Sequence, residues 1–208
     1  IAGAADSVVT FNQKSFKAIL GNANYFEYAV FCTGDDELAK GYCQMAYIAL
    51  NDAKVFYEEK HDRGTFVKNI IMDNILPSDI YIRAKELHFA TDAPRAVFLV
   101  RQQGHADVAV VDVLSNMFQD KLQDFVLSIN ETDVAVVKQL SGEASAEELD
   151  KIAQSIEETL KNELYIKTAI GIGTVAHHLR ELADVYKEAQ TAIDVGKVFD
   201  TEKSISNY

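Results

Sequence analysis

The order of apolar patterns in the second half of the chain predicts an α+β fold: a ferredoxin-like antiparallel sheet with helices, preceded by a long helix and a helical bridge. A hairpin, a buried strand and an alternating element order point to it. Residues 124 to 140, DFVLSINETDVAVVKQL, place two strand-forming runs either side of Asn130, Glu131, Thr132 and Asp133. Asn and Asp tolerate the backbone of a tight reversal, so the stretch reads as a β-hairpin. AVFLV, residues 96 to 100, is an unbroken apolar run of strand length. The patterns run strand (95 to 102), helix (107 to 120), hairpin (124 to 140), helix (145 to 162), strand (165 to 174) and helix (178 to 197). A β-α-β-β-α-β order folds into a four-stranded antiparallel sheet with helices on one face.

Composition narrows the function classes. A length of 208 residues suits one or two domains, and 48% hydrophobic content is enough for a substantial core. No apolar run approaches the roughly 20 residues that span a bilayer, and the start of the chain lacks the basic and apolar segments of a signal peptide. A cytoplasmic location without a membrane partner is therefore expected. Cys32 and Cys43 show no Cys-x-x-Cys spacing and no nearby His pair, so they support neither a disulfide framework nor a zinc site, and reduced thiols are expected. The net charge of −12, from 20 basic and 32 acidic residues, repels a phosphate backbone. This segment alone is not expected to bind nucleic acid. Starting at Ile1 and stopping at SISNY after a helix, it reads as an excerpt of a longer chain.

Residues 1 to 60 read as a partial sensor region and a long signalling or dimerisation helix. TFNQKSFKAILGN patterns as a short amphipathic helix closed near Gly21 and Asn22, and YFEYAVFCTG as a strand ended by Gly34. From Asp35, DDELAKGYCQMAYIALNDAKVFYEEK reads as one helix with two acids at its positively polarised start. Leu38, Tyr42, Met45, Ala49, Ala53 and Phe56 recur at steps of three or four and draw one apolar stripe. Such a stripe fits a helix lying on its own domain's core and also a dimer seam, and spacing does not separate the two.

Gly64 is expected to break that helix, after which FVKNIIMDNIL resumes a helical pattern up to Pro77. Proline forces Leu76 out of the helical region, and Ser78 or Asp79 is placed to cap a further helix, DIYIRAKELHF. Residues 61 to 92 thus form a helical bridge, and residues 93 to 208 the sheet domain.

Three stretches carry a family resemblance: the hairpin, AIGIG at 169 to 173, and AQTAIDVGK at 189 to 197. Cyclases that make cyclic dinucleotides have a Ser-Ile-Gly-Ile-like strand and Ala-Asp-x-Ala-Leu-Tyr-x-Ala-Lys at the latter two. From about Arg95 to Tyr208 the chain resembles the GGDEF-type, nucleotide-cyclase-like domain of diguanylate cyclases. The form is the degenerate one of sugar-diacid-regulator (CdaR) and PucR-like transcription regulators. The bridge, DRGTFVKNIIMDNILPSDIYIRAKEL, resembles the helical segment that precedes this domain in the same regulators. The resemblance implies an N-terminal sensor for an unknown small-molecule effector. It also implies that DNA is bound only through a helix-turn-helix domain absent from this chain.

An active cyclase needs two glycines in the hairpin turn, so that backbone approaches the nucleotide, and carboxylates there and on the first strand to hold Mg²⁺. Here Asn130 and Glu131 stand at the glycines, Thr132 replaces the first acid and Asp133 keeps the second. The first strand ends Leu99-Val100-Arg101-Gln102, with an arginine where a metal-binding Asp is expected. The resemblance therefore implies a degenerate turn with no catalytic, cofactor or metal residues, and no enzyme. His177 and His178 read as an exposed helix-start pair. Gly171 and Gly173 read as places where a helix packs close to a strand rather than a phosphate cradle. Glu147, Glu148, Asp150, Glu157 and Glu158 read as a solvated helix face.

Three functions follow, from different classes. The leading one is the non-catalytic signal-sensing, transmitting and dimerisation region of a bacterial transcriptional regulator. The alternative is a module that binds a nucleotide or sugar acid without turnover. The third, an active diguanylate cyclase, is opposed by the missing turn glycines. A regulator of two-fold symmetric operators has reason to be a symmetric dimer, so a homodimer is expected with the Leu38 to Phe56 stripe at its seam.

Overall fold

The computed structural model describes residues 7 to 21, 25 to 104, 109 to 120, 122 to 142, 144 to 199 and 204 to 208. The chain divides into two units, Ile1–Glu59 and Lys60–Tyr208.

In the first unit Asn12 and Gln13 both take positive φ (50° and 57°) and reverse the chain between β1 (Val9–Phe11) and β2 (Lys14–Leu20). Two left-handed residues in succession are what a two-residue hairpin turn requires. β3 (Phe26–Thr33) pairs antiparallel with β2, giving the order β1-β2-β3. TFNQKSFKAILGN is thus a hairpin and not the amphipathic helix its spacing suggests. Its apolar residues are shared between two sheet faces, and that two-residue period passes for a helical one over so short a run. The expected stop at Asn22 lies outside the described residues, whereas Gly34 does end β3, at a φ of 117° that favours glycine.

α1 (Glu37–Ile71) begins where the Asp36 carboxylate accepts a hydrogen bond from the Ala39 amide at 2.7 Å, an N-cap. The helix continues straight through Gly64, contrary to expectation. A glycine inside a helix costs about 1 kcal/mol against alanine. Burial of Phe66, Val67, Ile70 and Ile71 just beyond it is worth roughly 1.5–3 kcal/mol for each side chain and outweighs that cost. Pro77 opens α2 (Pro77–Glu86) at its first turn, with Leu76 in extended backbone as the proline demands. No side chain caps this start, however: the Ser78 hydroxyl donates to Asp79 instead.

The second unit then follows the expected order: β4 (Arg95–Gln103), α3 (Val110–Met117), β5 (Phe125–Ser128), β6 (Asp133–Gln139), α4 (Ala146–Leu164) and β7 (Lys167–Ile172). The expected beginning of α3 at 107 and 108 lies outside the described residues. Ser145 and Glu148 close a capping box at the start of α4. A one-turn 3-10 helix, Leu179–Glu181, leads into α5 (Leu182–Phe199), and β8 (Ile205–Asn207) ends the fold. The sheet order is β5-β6-β4-β7-β8, antiparallel throughout except that β8 runs parallel to β7. β8 falls in SISNY, which carries too few apolar residues to read as a strand.

α3 and α4 lie on one face of this sheet, through Leu114, Ala153, Ile156 and Leu160 against Phe98, Val100, Val136 and Ile170. The other face is not bare. The end of α1, α2 and α5 cover Val97, Leu99, Ala135 and Val137, so helices stand on both faces rather than one. The residues of the expected bridge belong to this layer: Phe66 and Phe125 both pack on Phe89, at ring-centroid distances of 5.6 and 5.4 Å.

Gly171 and Gly173 explain how closely α5 sits. A Cβ at Gly171 would collide with the Ala189 carbonyl, and one at Gly173 with the Val185 carbonyl, both backbone atoms of α5. This is the close helix-on-strand approach read from the sequence. Gly171→Ala is expected to cost roughly 1–3 kcal/mol through overpacking. Gly142→Ala, where a Cβ meets nothing within 4 Å, should stay within about 0.5 kcal/mol of the wild type. Urea denaturation of the two variants checks the difference.

Candidate functional site

The β4–β6 register sets Arg101 directly opposite Asp133. Alternation along the two strands puts both side chains on the face that carries Val97, Leu99, Ala135 and Val137, beneath α5. The small Ala169 is the β7 partner of Arg101 on its other side. Within this frame the guanidinium grips the carboxylate with two parallel bonds, Nε to Oδ1 at 3.0 Å and Nη2 to Oδ2 at 3.1 Å. Its remaining arm, Nη1, donates to Asp194 Oδ1 of α5 at 2.9 Å. The Asp133 side chain is only 7% exposed, while Arg101 keeps 25% and Asp194 66%.

The turn closes on its own side chains. Asn130 Oδ1 accepts from the Thr132 amide (2.9 Å), the Thr132 hydroxyl (3.1 Å) and the Asp133 amide (2.8 Å). The Thr132 hydroxyl also lies 3.2 Å from Asp133 Oδ1. Gln102 fastens the turn to β4, donating its amide to the Thr132 carbonyl (2.9 Å) and its side-chain Nε2 to the Glu131 carbonyl (3.1 Å). Asn130 thus does by side-chain acceptance what a glycine pair would leave open to a ligand.

Charge follows the geometry. Burial raises the Asp133 carboxyl, but the Arg101 bonds and charge, with hydrogen bonds from Thr132 and Asn130, outweigh it and hold the group below 3.8. Arg101 is raised, first by its bond to Asp133 and then, against burial, by Asp194. Tyr186, buried on α5 nearby, is pushed up by burial and by the Asp133 charge.

A divalent cation does not fit this arrangement. Both Asp133 oxygens already accept from Arg101, and a cation approaching them would meet a fixed positive charge. Among the described residues no three His, Cys, Asp or Glu side chains converge as a metal site would need.

Of the residues singled out from the sequence, Asn130, Thr132, Asp133 and Arg101 come together here, and Glu131 contributes its carbonyl. Sequence reasoning missed Asp194 and Gln102, although Asp194 lies within AQTAIDVGK and one α-helical turn separates it from Gln190. The acids of α4 stay dispersed, with Asp150 accepting from Asn207 at 2.9 Å. His177 and His178 are exposed, their amides held by Glu181, and His178 Nδ1 lies 2.8 Å from Asp92.

The other singled-out group stands on α1. Leu38 is 64%, Tyr42 54%, Met45 59% and Phe56 41% exposed, and Ala49 and Ala53 are exposed too. The inner side of the helix is instead formed by Ala39 and Cys43, both buried. Among the described residues no helix is long and apolar enough to cross a membrane.

Residues 73–195, more than half of the chain, match the family model described as GGDEF-like domain. Among curated proteins none matches the chain.

Removing one partner of a buried ion pair strands the other, so Arg101→Ala is expected to cost about 3 kcal/mol at neutral pH. The acid limb fixes the cause. A carboxyl depressed in the folded state contributes stability present above its ordinary value near 3.8, lost as pH falls through its lower folded value. In the variant, burial without the guanidinium favours the protonated acid. The gap between wild type and variant should therefore narrow as pH drops below about 4. Urea titrations across this range test both parts, and a gap independent of pH would assign the loss to packing.

Proposed function

The chain belongs to the GGDEF-like domain family, and from that we propose that it is the non-catalytic, signal-transmitting and dimerising region of a bacterial transcriptional regulator of the CdaR and PucR type. Its DNA reader, a helix-turn-helix, lies outside these 208 residues. The observation that carries the reading is the Arg101–Asp133 fork in a turn without glycines. A guanidinium neutralises the carboxylate that would otherwise call for a metal ion, and Asn130 closes the backbone that would otherwise admit a nucleotide. What remains is an α+β domain suited to relaying a signal rather than turning over a substrate.

Two further observations support it. The net charge of −12 disfavours direct contact of this segment with DNA. The exposed stripe of Leu38, Tyr42, Met45, Ala49, Ala53 and Phe56 offers a self-complementary surface of the kind a two-fold dimer uses. Burying its Met and Phe against a partner contributes on the order of 1.5–3 kcal/mol for each side chain, twice over by symmetry.

Two experiments test this reading. Incubated with GTP and Mg²⁺, the chain should yield no cyclic dinucleotide by mass spectrometry, and product that disappears in Asp133→Ala would overturn the non-catalytic assignment. Light scattering should find the wild type dimeric at tens of micromolar. Met45→Glu, which places a charge in the seam twice, should be monomeric with an unchanged circular-dichroism spectrum. A monomeric wild type, or a variant that loses helix while still dimeric, would refute the seam.

A further inference from the structure

The two cysteines, expected as reduced thiols, both lie in the first unit where α1 packs on β2 and β3. Cys43 faces inward from α1 with no solvent exposure. Its Sγ lies 3.4 Å from the Ser15 carbonyl oxygen and 3.7 Å from that of Val30. Ser15 is the cross-strand partner of Cys32, and Val30 stands two residues before Cys32, on the same face of β3. These anchors put the Cys43 sulfur on the sheet face that carries the Cys32 side chain. Both are free, Cys32 partly exposed and Cys43 buried. Lys17, itself only 5% exposed, brings a positive charge to the same face of β2.

We propose that Cys32 and Cys43 are a reversible redox pair, closed by hydrogen peroxide into an intramolecular disulfide that clasps β3 to the first turns of α1. The Cys32 thiolate attacks the peroxide: an S–O bond forms, the O–O bond breaks, and water leaves after taking up the thiol proton. The Cys43 sulfur then attacks Cys32, forming the S–S bond and breaking S–O, and the departing hydroxide takes the Cys43 proton as a second water. Two thiols lose two electrons and one peroxide gains them. Exposure decides the order, because the oxidant reaches Cys32 and not the enclosed Cys43. Burial also pushes the Cys43 thiol up, which disfavours its thiolate and leaves the first attack to Cys32. The clasp acts where Tyr42 and Met45 flank Cys43, so oxidation is felt on the helix that carries the outward stripe. The pair does not depend on the family reading above.

Peroxide titration of the full chain tests this. Intact mass should fall by two hydrogens, both thiols should be lost to denaturing alkylation together, and peptide mapping should recover a Cys32–Cys43 cross-link. The product should migrate as a single chain without reductant, and dithiothreitol should restore both thiols. Cys43→Ser should stop at a sulfenic acid on Cys32 that dimedone traps. Cys32→Ser should slow oxidation of Cys43 by on the order of tenfold or more. Two alkylatable thiols after a peroxide dose that oxidises a small dithiol control would overturn the proposal, as would a disulfide found only between chains. The wild-type cross-link decides the matter even where a serine variant fails to fold.

Discussion

The second unit depends on one strand being buried on both faces. From Arg95 to Val100 every residue of β4 is buried. Alternate side chains of a strand point opposite ways, so six buried residues in a row demand packing on two sides. α3 and α4, the helices internal to the β-α-β-β-α-β unit, supply one layer. The chain must find the other elsewhere, and it does so from both directions in sequence: the end of α1 and α2 arrive before β4, and α5 returns after β7. The close seat of α5 on Gly171 and Gly173 follows from the same demand, since a glycine-lined strand lets a helix come down to cover the central one.

An arginine stands near each end of that strand, and the two do different work. Arg95 is 1% exposed and is solvated by carbonyls: Nη2 donates to Ala90 at 2.7 Å and to Gln139 Oε1 at 3.3 Å, Nη1 to Ala93 at 3.0 Å. Burial, with a smaller push from the Arg63 charge, lowers it to about 10, still far above neutral pH. It ties the end of the bridge, where Phe89 lies beneath its guanidinium, to the sheet. Arg101 instead meets a carboxylate on the neighbouring strand and a second one on α5, linking three elements through one charge. A metal ion in such a place would bind and leave with its concentration, whereas a guanidinium on a strand is always present. The turn is therefore held by side chains of the protein itself.

What could be read in advance follows from which signals are local. β4, the hairpin and α4 carry their reasons within a few residues: an unbroken apolar run, a polar reversal, a Ser145–Glu148 box. The β-α-β-β-α-β order needs nothing more. The second helical layer was not legible, because a run such as AVFLV reports that a strand is buried without saying which segments bury it. The hairpin at Asn12 and Gln13 was lost to the opposite problem, a short stretch whose apolar residues fit two periods. At the turn, the departures at Asn130, Glu131, Thr132 and Arg101 were visible as residue types. Their pairing was not, since Arg101 meets Asp133 only through strand register and Asp194 only through the packing of α5.

α1 shows why a stripe can be found without its side being legible. A helix with one apolar face declares which way it points. Between Leu38 and Tyr47 this helix has two: Ala39 and Cys43 turn inward, and Leu38, Tyr42 and Met45 turn outward. Side-chain size makes the larger residues dominate any count, so the periodicity selects the outward set and passes over the inward one. The inward set is small because the β2–β3 pair approaches closely, near enough for the Cys43 sulfur to touch strand carbonyls. Large apolar residues at the outward positions have no such excuse in the packing of their own unit. The packing of α1 on its own sheet is thus carried between Leu38 and Tyr47 by Ala39 and Cys43, while more than half of each of Leu38, Tyr42 and Met45 stays exposed.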